Sequence, residues 1–217
     1  MAEPLPDPSA VDWWVVVPVK GGGAAKTRLV PPPGTDKRAL ARALALDTVT
    51  AVYETVGARR VIVVTGSRWM TTALAPTRCV VVPDPGTGLN DAVRAGVARV
   101  PRAQTEAAGV AVLLGDLPAA RAADLRAALQ AAARHERAVV PDHHGDGTVL
   151  LTARQPHTIV PAFGPGSASR HTALGHRLLA LDLARLRTDV DDSMDLAAVV
   201  GLGVGSHTAA ALGLRQG

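Results

Sequence analysis

The chain has 217 residues, 47% of them hydrophobic and 19% charged, which is typical of a single folded domain. Aromatic residues account for only 2%, and the net charge of +4 is spread along the chain, so a nucleic-acid-binding surface is not indicated. No apolar run approaches the roughly 20 residues that span a bilayer. The acidic, proline-rich amino terminus lacks the pattern of a signal peptide, so we expect a cytoplasmic protein with no membrane or nucleic-acid partner.

Short Val-rich runs alternate with longer Ala- and Leu-rich stretches through the first half of the chain. The Val-rich runs predict strands at residues 13–19, 60–65, 79–82 and 110–114, with the single cysteine, Cys79, as a buried strand thiol. The Ala-rich stretches predict helices at about 35–56, 68–75, 88–99 and 121–134, the first of them capped by Thr35. This alternation predicts one α/β domain over residues 13–214 with a doubly wound, mostly parallel sheet, after a disordered or extended tail at residues 1–12.

The second half of the chain is less regular. Residues 138–140 and 148–152 are typical of strands on either side of the turn 144–147, which predicts a small antiparallel hairpin element. A helix over about 169–181, a strand near Leu186 and a helix from Asp192 are expected to follow. Ligands bind beyond the carboxyl ends of the strands in such sheets, so we expect the chemistry in the loops after residues 19, 82 and 114.

The loop after the first strand combines the glycines Gly21–Gly23 with three basic residues, Lys20, Lys26 and Arg28. Glycines let backbone N–H groups approach a phosphate closely, and the cations add favourable charge. A P-loop needs glycines at the places that Lys20 and Ala25 occupy, so the loop does not match a P-loop kinase. It predicts contacts with nucleotide phosphates, and the alternative is a flexible, solvated basic loop.

Carboxylates at two places could hold a metal ion. Asp116 follows the fourth strand in Gly-Asp-Leu-Pro, where it is well placed to hold Mg²⁺ against substrate phosphates, or could instead cap the next helix. Asp189 and Asp191 are two residues apart, so on an extended segment both side chains point the same way and need a cation, a shared proton or solvent. Alternatively, Asp192 or Ser193 caps the helix that follows.

Polar residues in the remaining loops indicate substrate contacts. Asn90, near a predicted helix start, could read a purine edge through paired donors and acceptors, or could merely cap the helix. A helix amino terminus favours an anion and Arg can bind one bidentately, which predicts a second phosphate or carboxylate site at Thr148, Gly164, Ser167 and Arg170. His143 and His144 lack a third ligand at zinc-like spacing and are interpreted as exposed loop residues.

Together, in this order and spacing, the motifs resemble those of the 2-phospho-L-lactate or phosphoenolpyruvate guanylyltransferases of coenzyme F-420 biosynthesis. The resemblance runs from Val15 to about Leu212. It rests on Val-Pro-Val-Lys with Ala-Lys-Thr-Arg-Leu, on Gly-Leu-Asn, on Gly-Asp-Leu-Pro, on Phe-Gly-Pro-Gly-Ser with Arg-His, and on Thr-Asp-Val-Asp-Asp with Asp-Leu. One departure is Gly21–Gly23, where that family is often less rich in glycine.

The resemblance implies a GT-A-like nucleotidyltransferase fold, GTP as co-substrate and Mg²⁺ as cofactor. It implies that the metal-binding acids are Asp116, Asp189 and Asp191, and that the phosphorylated acceptor is held by Thr148, Gly164 and Ser167. Transfer of GMP to phosphoenolpyruvate or 2-phospho-L-lactate would release pyrophosphate, with Asp116 and Lys26 as the expected catalytic residues. The alternatives are an enzyme of the same fold acting on molybdopterin or a sugar phosphate, and a non-catalytic nucleotide-binding regulator.

Overall fold

The computed structural model describes residues 11–20, 28–101 and 108–214. Within these ranges, seven strands form one sheet: β1 (Asp12–Val19), β2 (Val61–Thr65), β3 (Val80–Pro83), β4 (Ala108–Leu113), β5 (Arg137–Pro141), β6 (Thr148–Ala153) and β7 (Arg177–Leu178). The described α-helices are α1 (Lys37–Val56), α2 (Arg68–Leu74), α3 (Leu89–Val97), α4 (Ala122–Ala132), α5 (Ser167–Ala173), α6 (Ala184–Arg187), α7 (Ser193–Leu202) and α8 (Ser206–Ala211). None of the helices in these ranges is long and apolar enough to cross a membrane.

The sheet has the strand order β3-β2-β1-β4-β6-β5-β7. Strand β1 pairs in parallel with both β2 and β4, and β2 pairs in parallel with β3. Only β6 runs antiparallel to its neighbours, because β5 and β6 form a hairpin and β6 inserts beside β4. The chain winds outward from β1 to β3 and then returns to the other side of β1 as β4, so the crevice between β1 and β4 is the switch point where such sheets bind ligands.

Helices cover both faces of the sheet because the central strands are apolar on both faces. Residues 13–19 of β1 are all buried. Val15 and Val17 pack on the side of α1 and α4, whereas Val16 packs on the side of α3. The predicted mostly parallel, doubly wound α/β domain with a small hairpin is therefore confirmed.

Several local predictions need correction. Helix α1 is capped by Asp36, whose carboxylate accepts a hydrogen bond from the Ala39 N–H at 2.7 Å, and not by Thr35. Cys79 lies just before β3 and is only partly buried, because β3 is an edge strand of the sheet. Asp12, assigned to the amino-terminal tail, is the first residue of β1; residues 1–10 of that predicted tail lie outside the described residues.

Two element predictions in the second half are also wrong. The helix expected over 169–181 begins at Ser167 and ends at Ala173, because Gly175 adopts φ +88° and turns the chain into β7. Leu186 lies in the short helix α6 and not in a strand, although its complete burial explains the apolar pattern.

Candidate active site

The loop after β4 brings Asp116 to the switch point of the sheet. A Cβ at Gly115 would lie 2.8 Å from the Pro18 carbonyl oxygen, so only glycine lets this loop pass so close to the end of β1. The buried Thr48 hydroxyl of α1 accepts a hydrogen bond from the Leu117 N–H at 2.9 Å and fixes the residue after Asp116. The side chain of Asp116 is thereby held at the carboxyl end of β4.

The segment before α7 brings two more carboxylates to Asp116. The Val190 N–H donates to the Asp116 carbonyl oxygen at 3.1 Å, which places Asp116 beside the residues on either side of Val190. One carboxylate oxygen each from Asp116, Asp189 and Asp191 lie within 4.8 Å of one another. The structure therefore joins the three acids that the sequence predicted as metal ligands, although they lie far apart in the chain.

The electrostatics of this carboxylate cluster favour a cation. Burial first, and then the negative charges of Asp116, Asp191 and Asp142, together raise the pKa of Asp189 to about 7. Three close carboxylates cannot all ionise cheaply without positive charge between them. Oxygen-only donor sets of this kind suit hard divalent cations such as Mg²⁺, so the residues present fit the metal that the sequence implied.

The basic loop after β1 ends against the carboxylate cluster. Arg28 donates to the Asp191 carboxylate at 3.2 Å in an ion pair that is exposed on both sides. Leu29 is completely buried, and the backbone of Val30 exchanges two hydrogen bonds with the Ser193 hydroxyl. The cation of Arg28 is thus anchored beside the proposed metal ligands.

Of the other two basic residues of this loop, the structure describes Lys20 but not Lys26. Lys20 is exposed at the end of β1, at the same edge of the sheet as Asp116. Lys26, predicted to be catalytic, lies outside the described residues, together with Gly21–Gly23.

The four aspartates between residues 189 and 195 divide into two roles. Asp192 caps α7 by accepting from the Met194 and Asp195 N–H groups, and Asp195 reaches back to the Asp191 and Asp192 N–H groups. Of the two caps that the sequence left open, Asp192 and Ser193, the structure shows Asp192. The capping box holds the backbone of Asp191 rigidly while its side chain faces the carboxylate cluster.

The adjacent histidines His143 and His144 are exposed, as expected. The structure adds a neighbour that local spacing did not reveal, because ligand atoms of both rings and of Asp195 lie within 4.8 Å of one another. The His143 Nε2 atom lies 3.9 Å from an Asp195 carboxylate oxygen. Asp195 therefore links the first turn of α7 to the β5–β6 hairpin.

The amide of Asn90 does not cap α3, whose N-cap is Gly88. Instead Asn90 exchanges two hydrogen bonds with the backbone of Phe163, donating at 3.3 Å and accepting at 2.8 Å. This reciprocal pair ties the first turn of α3 to the loop before α5. Base reading by Asn90 stays a prediction, and any such contact would use the remaining hydrogen-bonding capacity of the amide.

The predicted acceptor residues converge at the start of β6. The hydroxyls of Thr148 and Ser167 lie 3.1 Å apart, and both side chains are almost fully buried. The Thr148 hydroxyl also lies 3.0 Å from Nδ1 of His171, a completely buried ring that sequence reasoning had not assigned to the site. The motif Arg-His was visible in the sequence, but its contact with β6 was not.

The loop at residues 162–166 is held in place by hydrogen bonds to side chains of this protein. Arg170 donates from Nε and Nη2 to the Ala162 carbonyl, at 3.0 and 2.9 Å, and from Nη1 to the Pro165 carbonyl. Asp146 accepts from the Gly166 N–H at 2.9 Å, and the Ser167 N–H donates to the Gly164 carbonyl. The backbone donors expected to face an anion there are therefore largely used within the protein.

Comparison with known proteins places the chain in a family. The profile of the MobA-like NTP transferase domain matches residues 36–197. Phosphoenolpyruvate guanylyltransferases of Sanguibacter keddieii and Thermomonospora curvata are each 44% identical to this chain, over 90% and 91% of it and over 82% and 87% of their own lengths. The chain belongs to the phosphoenolpyruvate guanylyltransferase family.

The solved structures agree on the fold. The 4-diphosphocytidyl-2C-methyl-D-erythritol synthase of Anaerococcus prevotii superposes with a TM-score of 0.60 at 10% identity, over 89% of this chain and 96% of that protein. This likeness shows the nucleotidyltransferase fold alone. The family membership identifies the protein as a nucleotidyltransferase with a guanylyltransferase function.

Proposed function

We propose that this protein transfers GMP from GTP to the phosphate of phosphoenolpyruvate, with release of pyrophosphate and with Mg²⁺ as cofactor. The observation that carries the proposal is the cluster of Asp116, Asp189 and Asp191 at the switch point of the sheet. Membership of the phosphoenolpyruvate guanylyltransferase family supports the donor and the acceptor. The resemblance to enzymes of coenzyme F-420 biosynthesis supports a place in that pathway.

The chemistry needs positioning more than proton transfer. A phosphate monoester has its second pKa near 6, so about neutral pH the acceptor oxygen is already anionic and can attack the α-phosphorus without a general base. The new P–O bond forms as the bond between the α-phosphorus and the bridging oxygen breaks, and pyrophosphate leaves with that electron pair. Such a step is accelerated by orienting the two anions and neutralising their charge.

Asp116, Asp189 and Asp191 would hold the magnesium ion, which supplies positive charge to the donor phosphates when it is bound. The raised pKa of Asp189 supports this role, since a nearby divalent cation stabilises the ionised carboxylate. A regulator without metal would bring phosphates against these carboxylates at a large electrostatic cost. The carboxylate cluster therefore favours an enzyme.

The basic residues would neutralise the leaving group. The exposed pair of Arg28 with Asp191 contributes at most about 1 kcal/mol, so Arg28 can exchange its carboxylate partner for a phosphate at little cost. Lys20 lies at the same sheet edge, and Lys26 belongs to the same loop. All three are proposed to contact the nucleotide phosphates, with Lys26 as a catalytic residue.

The acceptor would lie on the β6 side of Asp116, across from the basic loop that follows β1. Leu113 pairs with Leu150 and the Leu114 N–H donates to the Val149 carbonyl, so Thr148 at the start of β6 lies at the same edge of the sheet as Asp116. Thr148, Gly164 and Ser167 are proposed to hold the phosphorylated acid. Arg170 would contribute through the guanidinium N–H groups that its backbone partners leave available.

A matrix of nucleotides and acceptors tests the proposal. Pyrophosphate release is measured for GTP, ATP and CTP against phosphoenolpyruvate, 2-phospho-L-lactate and no acceptor, and the product mass is determined by mass spectrometry. We expect release with GTP and phosphoenolpyruvate, and a drop of at least about a thousandfold in Asp116→Asn with an unchanged melting curve. The exposed Asp182→Asn is the matched control. Preference for another acceptor would refute the substrate assignment, and an active Asp116→Asn would refute the metal site.

A further inference from the structure

We infer that His171 is a positioning residue, which orients the hydroxyls of Thr148 and Ser167 so that this pair presents one O–H donor to the anionic acceptor. The inference rests on the proposed function, which assigns Thr148 and Ser167 to the acceptor. It goes beyond that function by assigning a role to a buried side chain behind the binding surface.

The hydrogen bonds of His171 define its tautomer. The Ala162 N–H donates to Nε2 of His171 at 2.9 Å, so Nε2 carries a lone pair and no proton. A neutral imidazole has one N–H, which must then be on Nδ1. Nδ1 lies 3.0 Å from the Thr148 hydroxyl oxygen, so the ring donates and Thr148 accepts.

The protons can then be counted along the chain of hydrogen bonds. Thr148 accepts from His171, and the two hydroxyls share one hydrogen bond across 3.1 Å. That bond uses the proton of either Thr148 or Ser167. One hydroxyl proton of the pair is left over in both arrangements, and it is free to donate to a ligand.

The other neutral tautomer would abolish this donor. With the proton on Nε2, the N–H groups of the ring and of Ala162 would point at each other with no acceptor between them. Thr148 would then have to donate to Nδ1. Ser167 would then donate to Thr148, and the pair would present only oxygen lone pairs outward. A phosphate or carboxylate oxygen needs a donor, so the tautomer of His171 decides whether the site attracts or repels an anion.

Packing keeps the ring in place. His171 is completely buried, and the Phe163 ring meets it edge-on with centroids 5.0 Å apart. Burial first, and then the charges of His176 and Arg170, together lower the pKa of His171 to about 4. The titratable ring of His176 packs against it from the β7 side with centroids 5.7 Å apart. His171 therefore stays neutral at the pH values at which the acceptor phosphate is a dianion.

Two substitutions separate the two hydrogen bonds of the ring. In His171→Gln, the side-chain oxygen can replace Nε2 and accept from Ala162, but the donor to Thr148 is lost. In His171→Asn, the amide nitrogen can replace Nδ1 and donate to Thr148, but the acceptor for Ala162 is lost. We expect His171→Gln to raise the acceptor KM about tenfold with the GTP KM within twofold, and His171→Asn to restore most of the acceptor affinity.

Controls distinguish positioning from packing. His176→Gln alters a neighbouring buried ring without touching Thr148 and should leave the acceptor KM within twofold. In a Thr148→Val background, His171→Gln should cost little more, because its effect is transmitted through the hydroxyl. Equal losses in His171→Gln and His171→Asn, or additive losses with Thr148→Val, would overturn the inference.

The tautomer itself can be observed in the unmodified protein. Histidine ¹⁵N spectra at pH 7, with the His171 signals identified by their loss in His171→Gln, should show a protonated Nδ1 and a bare Nε2. An Nε2–H tautomer or an imidazolium would overturn the inference without any kinetic measurement. If the unmodified enzyme releases no pyrophosphate with phosphoenolpyruvate, the proposed function fails as well; a normal acceptor KM in His171→Gln overturns the positioning role alone.

Discussion

Replacing Asp189 by Asn should stabilise the metal-free protein while destroying its activity. The pKa of Asp189 rises from 3.8 to about 7 on folding, through burial first and the neighbouring carboxylates second. Its folded pKa is raised, so between these values the folded state binds more protons than the unfolded state. The contribution of protonated Asp189 to the free energy of unfolding is therefore fully present below about pH 4 and is lost as the pH rises through about 7.

The magnitude follows from the size of the shift. One pKa unit corresponds to about 1.4 kcal/mol, so about three units set an upper limit near 4 kcal/mol on the cost of ionising Asp189 in the fold. Asp189 is partly exposed, and solvent screening reduces this to an expected gain of about 1–2 kcal/mol in Asp189→Asn at pH 8. For a chain of this length, that gain raises the melting temperature by roughly 2–8 °C.

The assay is thermal unfolding in a chelator at pH 8 and pH 5, with the exposed Asp182→Asn as a charge-matched control. The advantage of Asp189→Asn should be smaller at pH 5 than at pH 8, because protonation of Asp189 in the folded protein removes part of the cost of its charge. Magnesium chloride should raise the melting temperature of the unmodified protein and leave Asp189→Asn unchanged. A variant that is less stable than the unmodified protein at pH 8 would refute the electrostatic reasoning.

Three further substitutions examine other parts of the site. Ser167→Ala should raise the acceptor KM more than the GTP KM in steady-state kinetics, because the Ser167 hydroxyl pairs with that of Thr148. Substitution of the exposed Ser169 by Ala is the control. A larger rise in the GTP KM would mean that the two substrate sites are exchanged. Gly115→Ala should destabilise the fold by about 1–3 kcal/mol in denaturant unfolding, since its Cβ would meet the Pro18 carbonyl at 2.8 Å. The control Gly201→Ala, with open space around its Cβ, should cost nothing. Equal stability of the two variants would contradict the close approach at Gly115. Asn90→Ala should cost about 1–3 kcal/mol by removing both hydrogen bonds to Phe163, and a loss of nucleotide preference with no loss of stability would instead support base reading.

Local sequence patterns determined the architecture of this protein. Val-rich runs and Ala-rich stretches have different periods, and each period is a property of neighbouring residues, so the alternation of strands and helices could be predicted. The position of Asp116 after an apolar strand and the spacing of Asp189 and Asp191 were visible in the same way. Gly175 is also a local stop signal in the sequence, and it accounts for the end of α5 at Ala173.

Only the tertiary structure decided which of these residues meet. Asp116 joins Asp189 and Asp191 because the segment before α7 returns to the carboxyl end of β4, and this contact depends on chain topology rather than on local spacing. Topology likewise turned Asn90 toward Phe163 and placed His171 against Thr148. Side chains of the same type, such as the aspartates from 189 to 195, take different roles because each faces a different part of the folded chain.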